Sequence, residues 1–448
     1  MSSGARAGEL RVLIVTDQYE PMVGGVPTVT RDLARGLAGR GHAVAVVAPS
    51  ATLRGHRAGG APGGAPGGAS GGVAVDFRGS VPWPWYEGQR LGVLPRARAG
   101  ELISAFEPDV VHLHSPLTLG AAARTAARRR RVPVVYTNHY LPLNVWPAAA
   151  RSAQAAGAAR GTTSRVRDAA FYAYVTGFAN RCDLVTAPTA TALRLLREHG
   201  LRAPSETVSN GVNLDRFAPG PGGREEARAL RSKYALPPGR KLVLSVGRLS
   251  AEKRGDVLIA ALARLSRAYD ADAGDAGPVL VLAGTGQDEG RLRSLARHYG
   301  VAHLVRFPGF VADEDLAGLY RLADVFAIAS QAELQSLVTM AAMASGLPVV
   351  AVDAGALAEL VHPGDNGFLA RPGHAGEFAE SLGLLCRDAD LRVRMSKASL
   401  RIISGHDGHR LLGRWESIYR ALASPGTDEP RPGTDEPRGT VQQQNRRR

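Results

Sequence analysis

Two cationic side chains in the second half of the sequence are spaced for binding an anion. Arg248 and Lys253 lie five residues apart, directly after an apolar run that predicts a buried strand. At the carboxyl end of a parallel sheet, both side chains would point into the crevice where ligands bind. Two fixed cations can neutralise a diphosphate leaving group without a metal ion. The alternative is a solvated pair that caps the following helix.

A carboxylate, Glu333, stands where a second anion-binding element begins. The apolar run 324–328 predicts a buried strand, and the segment 329–335 predicts a polar turn. Ser336 has the residue type of a helix N-cap, so we predict that a helix begins at Leu337. Free backbone amides and the helix dipole attract anions at such a helix start.

Three histidines belong to predicted strands of the first half. His139 ends the strand 132–136 and its extension Thr137-Asn138, whereas His112 and His114 share one face of the strand 108–114. Two histidines at this spacing can bind a metal ion, but no third ligand stands near them in the sequence. We therefore favour a packing role for His112 and His114, and a lone histidine such as His139 is more often structural.

Strands and helices alternate along both halves of the sequence. Two glycines, Gly24 and Gly25, separate the first strand from an amphipathic helix predicted at 28–40. Paired glycines allow the backbone to approach a phosphate, although a simple loop has the same pattern. The alternation predicts two doubly wound parallel sheets. Short apolar runs predict strands at 11–15, 43–48, 108–114, 132–136, 184–188, 241–246, 279–283, 324–328 and 349–352, and the segment 305–311 predicts a strand and a loop.

With 448 residues, the chain is too long for one core and predicts two domains of roughly 200 residues each. The low-complexity segment 56–72 predicts a flexible surface loop, and the aromatic, Pro-rich segment 77–85 predicts a loop near a binding face. We predict a first domain over 1–210, a hinge or linker over 211–240, a second domain over 241–405, a helix over 406–423 that can cross back onto the first domain, and a disordered tail over 424–448.

The composition excludes several classes of protein. A mean hydropathy of −0.10 is typical of a soluble globular protein, and no apolar run approaches the ~18 residues that span a bilayer. The N-terminus has no apolar secretory segment, so we predict a cytoplasmic location. Two cysteines, Cys182 and Cys386, make neither a disulfide framework nor a zinc site. No Asp-x-Asp pair stands at a predicted strand end, so we predict no metal site.

Positive charge is concentrated in the first half of the chain. The net charge is +14, and residues 1–210 hold 24 Arg against 13 Asp plus Glu, a net charge of +11. Such a surface could face anionic lipid headgroups, an acidic acceptor or nucleic acid. A solvated Arg-rich face is the alternative, and we do not expect nucleic-acid binding because no binding motif accompanies the charge.

The order and spacing of these motifs resemble the retaining glycosyltransferases of the GT-B fold, family 4. The signature of that family is Glu, seven residues, Glu, and then Ala-Met-Ala-x-Gly-x-Pro-Val-Val. Here Glu333 and the segment 342–350 match, whereas Ala341 stands where the second Glu belongs. The resemblance spans roughly residues 10 to 422 and implies two Rossmann-like domains that face each other across a cleft.

The resemblance also implies a role for each candidate residue. Arg248 and Lys253 would hold the donor diphosphate, and His139 and Glu333 would contact the transferred sugar as catalytic residues. The family has Gly-Phe-Gly after this Glu, whereas this chain has Leu-Gln-Ser. The remaining donor-binding candidates are the paired glycines Gly24 and Gly25, the phosphate-facing amides of Ser336 and Leu337, the base-facing main chain of Phe310 and Val311, and Ala341 at the ribose.

The implied activity is transfer of a hexose from a nucleotide-diphosphate sugar, of the GDP-mannose or UDP-glucose type, to a hydroxyl acceptor. No further cofactor is implied. The segments 137–140 and 332–336 look most like members that act on lipids, such as phosphatidylinositol mannosyltransferases and diacylglycerol glucosyltransferases. A lipid acceptor would bring peripheral contact with the inner face of a membrane. Because Ala341 removes a ribose contact, a non-catalytic or impaired relative that binds sugar nucleotides is the alternative.

Overall fold

Two parallel sheets with helices packed against them form the part of the chain that the structure describes. It is a computed structural model that describes residues 8–50, 56–58, 73–83, 90–142, 162–220, 223–271 and 277–424. Apart from residue 424, the predicted tail lies outside the described residues, and so does most of the low-complexity segment 56–72.

The first sheet is built from short apolar runs, as the sequence predicts. Its strands and those of a small hairpin are β1 Arg11–Val15, β2 Ala43–Pro49, β3 His56–Ala58, β4 Ala74–Arg78, β5 Ser80–Pro82, β6 Arg90–Gly92, β7 Val110–Leu113, β8 Val134–Thr137, β9 Leu184–Ala187 and β10 Ser205–Thr207. The sheet order is β10-β9-β8-β7-β1-β2-β4-β3, and only β3 runs antiparallel to its neighbour. The strands β5 and β6 pair separately as an antiparallel hairpin.

The second sheet has six parallel strands in a doubly wound order. They are β11 Leu242–Val246, β12 Val279–Ala283, β13 Val305–Gly309, β14 Val325–Ile328, β15 Val349–Val352 and β16 Gly367–Ala370. Their order in the sheet is β13-β12-β11-β14-β15-β16. Parallel neighbours need a crossover connection, and helices supply most of these crossovers.

The helices lie between the strands in the expected alternation. In the first half they are α1 Gly25–Gly39, α2 Arg96–Phe106, α3 Thr118–Arg129, α4 Thr162–Ala179 and α5 Ala190–Glu198. From the hinge onward they are α6 Leu214–Phe217, α7 Arg224–Lys233, α8 Gly255–Ala271, α9 Glu289–His298, α10 Asp313–Leu322, α11 Leu337–Ala344, α12 Ala375–Arg387, α13 Ala389–Ile403 and α14 Gly408–Ala423. Single 3-10 turns occupy Ala251–Lys253, Ala302–Leu304, Leu357–Glu359 and Ser404–His406.

Each sheet has one point where the chain reverses its direction of travel across the sheet. In the first sheet the chain moves from β1 to β2 and later from β7 to β8, so the reversal lies between β1 and β7. In the second sheet it lies between β11 and β14. At such a reversal point, the connections that follow the two neighbouring strands run over opposite faces of the sheet. This opens a crevice at the carboxyl ends of those strands.

The last helix, α14, packs on the first sheet rather than on the second. Its buried residues Trp415, Ile418 and Tyr419 share a hydrophobic cluster with Ile14 and Leu37 of the first half. The contact is close, because a Cβ atom added at Gly36 would lie 2.5 Å from a methyl carbon of Leu412. The end of the chain therefore ties the second half to the first.

Two predicted loops are partly regular structure. The segment predicted as a loop at 77–85 contains the end of β4 and the whole of β5, so that prediction was wrong. Backbone pairing with β2 and β6 fixes these residues, and their aromatic and proline content does not reveal it. The predicted linker 211–240 contains α6 and α7.

Among the helices that the structure describes, none combines the length and apolar character that a membrane crossing requires.

Candidate functional site

The reversal point of the second sheet gathers the predicted cations and the predicted carboxylate. Arg248 and Lys253 follow β11, and Glu333 follows β14, which is the strand next to β11. Lys253 Nζ lies 2.6 Å from Glu333 Oε1, and the Glu333 side chain is only 11% exposed. Two residues that are 80 positions apart in the sequence thus form a partly buried ion pair at the crevice.

Close backbone packing shapes the loop that carries Arg248. Gly247 has a φ of 148° and Gly284 a φ of 139°, values that L-residues with a side chain rarely adopt. A Cβ atom at Gly284 would lie 1.9 Å from the Gly247 carbonyl oxygen, and one at Gly286 would lie 2.2 Å from that of Leu249. Any side chain at these two glycines would displace the loop. A pocket opens here, lined by residues 245–250, Lys253, Gly255, Leu282, Leu292 and Ile328.

The Arg248 side chain extends toward solvent at the rim of this pocket. It is 48% exposed, and its Nη2 atom lies 3.7 Å from Glu252 Oε1. The Glu252 side chain is only 10% exposed, so this pair lies at the boundary between protein and solvent. Arg248 belongs to the lining of the pocket, as does Lys253.

The start of α11 has the capping geometry that the sequence predicts. Ser336 Oγ accepts hydrogen bonds from the Thr339 amide at 3.4 Å and from the Thr339 hydroxyl at 2.8 Å, so the N-cap prediction is confirmed. The helix spans Leu337–Ala344, and Gly346 follows it with a φ of 75°. A left-handed glycine at this point ends a helix at low strain.

The paired glycines of the first domain lie against this helix start. Gly24 precedes α1 in an extended conformation and Gly25 is its first residue. A Cβ atom at Gly25 would lie 3.9 Å from Leu337 Cδ1 of the second domain. The starts of α1 and α11 therefore lie next to each other where the two domains meet.

The predicted histidines form a neutral cluster in the first domain. His114 Nδ1 and His139 Nε2 are 2.9 Å apart, so one ring donates a hydrogen bond to the other. Burial lowers the pKa of His139 to about 4 and that of His114 well below its usual value. Burial, reinforced by the nearby His139, lowers the pKa of His112 to about 3. The cluster thus carries no charge at neutral pH.

His112 has the packing role that we predicted for it. Its Nδ1 atom is 2.7 Å from the Tyr419 hydroxyl and its Nε2 atom is 2.7 Å from the Thr137 hydroxyl. Both ring nitrogens are used, so His112 joins the last helix to the first sheet. Within the described part of the chain, no group of three or more His, Cys, Asp or Glu residues is placed to hold a metal ion. Among the described residues His139 bonds to His114 and to no residue of the second domain.

The remaining predicted residues lie directly after β13 and within α11. Phe310 and Val311 follow β13; the Phe310 side chain is 57% exposed, whereas Val311 is buried. Ala341 is buried in α11, where its carbonyl oxygen accepts a hydrogen bond from the Ser345 amide at 3.0 Å. Its methyl group offers no atom that could accept a hydrogen bond from a ribose hydroxyl.

A carboxylate that the sequence analysis missed lies at the reversal point of the first sheet. Asp17 follows β1, and the Ser115 hydroxyl, which follows β7, donates a hydrogen bond to its Oδ2 atom. Its Oδ1 atom is buried and has no hydrogen-bond partner among the described residues. Burial raises the pKa of Asp17 to about 6, although Ser115 and the Gly92 amide act in the opposite direction. Its place directly after the strand at 11–15 could have revealed it.

Two family descriptions match almost the whole described chain. "Glycosyltransferase Family 4" matches residues 23–216, and "Glycosyl transferases group 1" matches residues 226–401. The first match covers every strand of the first sheet except β1, and the second match covers all strands of the second sheet. The predicted domain limits at 210 and 241 lie between the two sheets, and they stay predictions.

Similar proteins carry related names. A GDP-mannose-dependent alpha-mannosyltransferase of Mycobacterium tuberculosis is 30% identical over 415 residues, which are 91% of this chain and 97% of that protein. An alpha-monoglucosyldiacylglycerol synthase of Streptococcus pneumoniae is 26% identical over 76% of this chain and 71% of its own length.

The fold matches that of solved glycosyltransferases. Anabaena HepE in complex with UDP superposes with a TM-score of 0.68 at 20% identity, over 92% of this chain and all of HepE. The two doubly wound sheets therefore form a GT-B fold, as the sequence predicts.

Proposed function

Because the chain belongs to the glycosyltransferases of group 1 and family 4, we propose that it transfers a hexose from a nucleoside diphosphate sugar to a hydroxyl group, with retention of anomeric configuration. The observation that carries the proposal is the 2.6 Å pairing of Lys253 with Glu333. It puts a cation for the diphosphate beside a carboxylate for the sugar, at the place where ligands bind in open parallel sheets.

The donor diphosphate binds between the loop after β11 and the start of α11. Arg248 and Lys253 supply the positive charge, and the amides of Ser336 and Leu337 supply hydrogen bonds along the helix dipole. This charge is sufficient without a metal ion or a further cofactor. The donor is of the GDP-mannose or UDP-glucose type, which the name of the mycobacterial relative and the UDP in HepE support.

Transfer takes place on one face of the sugar. The acceptor hydroxyl oxygen bonds to the anomeric carbon while the bond from that carbon to the diphosphate oxygen breaks, and the hydroxyl proton passes to the leaving diphosphate. Glu333 stabilises positive charge at the anomeric carbon, and Arg248 and Lys253 stabilise negative charge on the leaving group. His139, which is neutral, positions the sugar by a hydrogen bond.

The acceptor is a hydroxyl on a lipid that lies at the inner face of a membrane. Two observations support this part of the proposal: the name of the pneumococcal relative and the net charge of +11 over residues 1–210. Anionic headgroups attract such a surface within a Debye length.

A second candidate function rests on Ala341. Because the helix position that holds a carboxylate in the family carries a methyl group here, the chain could bind a sugar nucleotide weakly without turnover. Loss of a charge-assisted hydrogen bond costs about 1.5–3 kcal/mol, or roughly ten- to a hundredfold in affinity.

Nucleotide release tests both candidates. Wild-type protein and Ala341→Glu would be assayed side by side with UDP-, GDP- and ADP-sugars, with lipid vesicles or with water-soluble polyols as acceptors. We expect turnover by both proteins, a donor KM about tenfold lower in Ala341→Glu, and a higher rate with lipid. Equal rates with lipid and polyol would exclude the lipid acceptor. If neither protein releases nucleotide from any donor, the result would favour the function of binding a sugar nucleotide without turnover.

A further inference from the structure

The loop that carries Glu333 is docked on the first domain through Leu334. Leu334 is buried, and it belongs to a hydrophobic cluster whose other buried members all lie between residues 13 and 201. Its carbonyl oxygen also accepts a hydrogen bond from the Thr189 hydroxyl at 2.8 Å. One residue of the second domain thus completes the core of the first.

The next residue, Gln335, connects the same loop by hydrogen bonds to residues 209 and 210, which directly precede the predicted hinge. Its Oε1 atom accepts a hydrogen bond from the Asn210 amide at 2.7 Å, and its Nε2 atom donates one to Ser209 Oγ at 2.9 Å. Ser209 Oγ also accepts from the Gly211 amide and lies 2.9 Å from His406 Nδ1. The hydroxyl proton therefore goes to His406, whose pKa is lowered by burial, and the network is satisfied with a neutral imidazole.

A third connection runs through the backbone of Glu333 itself. The Glu333 carbonyl oxygen accepts a hydrogen bond from the Ala356 amide at 2.9 Å. The same segment carries Glu359, whose carboxylate accepts bonds from the Ala190 and Thr191 amides at 3.1 and 2.7 Å. These amides form the start of α5, a helix of the first domain, where a carboxylate is favoured.

We propose that Leu334 and Gln335 are positioning residues that hold the Glu333 carboxylate at the donor sugar only while the two domains are in contact. The family signature has Gly-Phe-Gly after this Glu, and this chain has Leu-Gln-Ser, so the docking side chains depart from that signature. The docked loop couples the position of the Glu333 carboxylate to residues 209–211, where the first domain meets the predicted hinge. Its catalytic consequence rests on the proposed function, whereas the docking itself does not.

Amide hydrogen exchange tests the docking without any assay of activity. In Gln335→Ala the Asn210 amide loses its partner directly, so it serves as an internal reference. We expect the Ala356 amide, which bonds to Glu333 and not to Gln335, to exchange at least about tenfold faster as well. Exchange at Ala356 that stays at the wild-type rate, while Asn210 speeds up, would overturn the proposal.

A matched control breaks another contact between the two halves. Arg414 of α14 pairs with Glu206 of the first sheet, far along the chain from the Glu333 loop. Arg414→Gln should leave exchange at Ala356 unchanged. If it accelerates that amide as much as Gln335→Ala does, the loop follows general domain contact and the specific role of Gln335 is refuted.

Kinetics test the catalytic consequence. Leu334→Ala and Gln335→Ala should lower kcat on the order of 10- to 100-fold with little change in donor KM, because misplaced catalytic groups cost transition-state binding. Leu334→Met, which keeps the apolar volume, should retain most of the wild-type kcat. Unchanged kcat in both alanine variants would refute the positioning role. If the wild-type protein releases no nucleotide, the proposed function fails and the exchange experiment alone decides on the docking.

Discussion

The two reversal points of the molecule have the same topology and opposite chemistry. In the second sheet the loops at this point hold Arg248, Lys253 and the paired Glu333, so the crevice is built around fixed cations. In the first sheet the corresponding loops hold the buried Asp17 and its partner Ser115. Nearby histidines there are neutral, and no cation is among the causes of the shifted pKa of Asp17.

This difference shows how two domains of the same topology can bind different ligands. Strand order creates a crevice in both domains, but only the side chains at the strand ends decide which ligand fits. The cationic point suits a diphosphate. The other point, with a carboxylate and neutral imidazoles, suits a ligand that offers hydroxyl groups and repels phosphate. We therefore propose that the second domain binds the donor and the first domain binds the acceptor.

Removal of the Lys253 ammonium group should lower activity more than any other predicted change. Lys253→Ala takes away a diphosphate partner and leaves Glu333 without the ion pair that holds it. We expect kcat/KM to fall about 10²- to 10³-fold, the usual loss for a group that stabilises transition-state charge. Steady-state nucleotide release measures it.

A neighbouring cation gives the control for this prediction. Arg254 pairs with Asp256 at 3.1 Å and does not line the pocket. Arg254→Ala should change kcat/KM less than about threefold. Comparable losses in both variants would show that general positive charge matters rather than the crevice.

Asp17 gives a prediction with a defined pH dependence. Its folded-state pKa is about 6, against an ordinary value of 3.8, so the folded protein holds this proton longer than the unfolded chain does. Stability is therefore lost as pH rises from about 4 to about 6, by up to about 3 kcal/mol. Asp17→Asn should remove this loss.

Thermal unfolding of both proteins between pH 4 and pH 8 measures the effect. The Tm of the Asp17→Asn protein should exceed that of the wild type above pH 6, and the two should converge near pH 4. Parallel curves over the whole range would mean that Asp17 is solvated, and the contrast between the reversal points would weaken.

Local patterns predicted the elements that position the site. The start of α11 at Leu337 lies where the capping residue Ser336 places it. Buried parallel strands are continuous apolar runs, so they too are visible in the sequence. The order of motifs along the chain was enough to predict the fold.

Contacts between distant segments could not be predicted in the same way. The 2.6 Å pair of Lys253 and Glu333 depends on the adjacency of β11 and β14, which no local pattern encodes. The docking of Leu334 in the first-domain core depends on how the domains meet. Asp17, whose pKa burial raises, lies against Ser115 after β7 and Gly92 of β6, which are distant from it in the sequence.

Nucleotide binding tests the division between the two domains most directly. UDP and GDP would be titrated calorimetrically into the wild-type, Arg248→Ala and Asp17→Asn proteins. The account predicts that one of these nucleotides binds the wild type and Asp17→Asn with Kd values within about twofold, and Arg248→Ala at least about tenfold more weakly, since a charge-assisted contact to phosphate is lost. Equal binding to wild type and Arg248→Ala, together with weaker binding to Asp17→Asn, would contradict it.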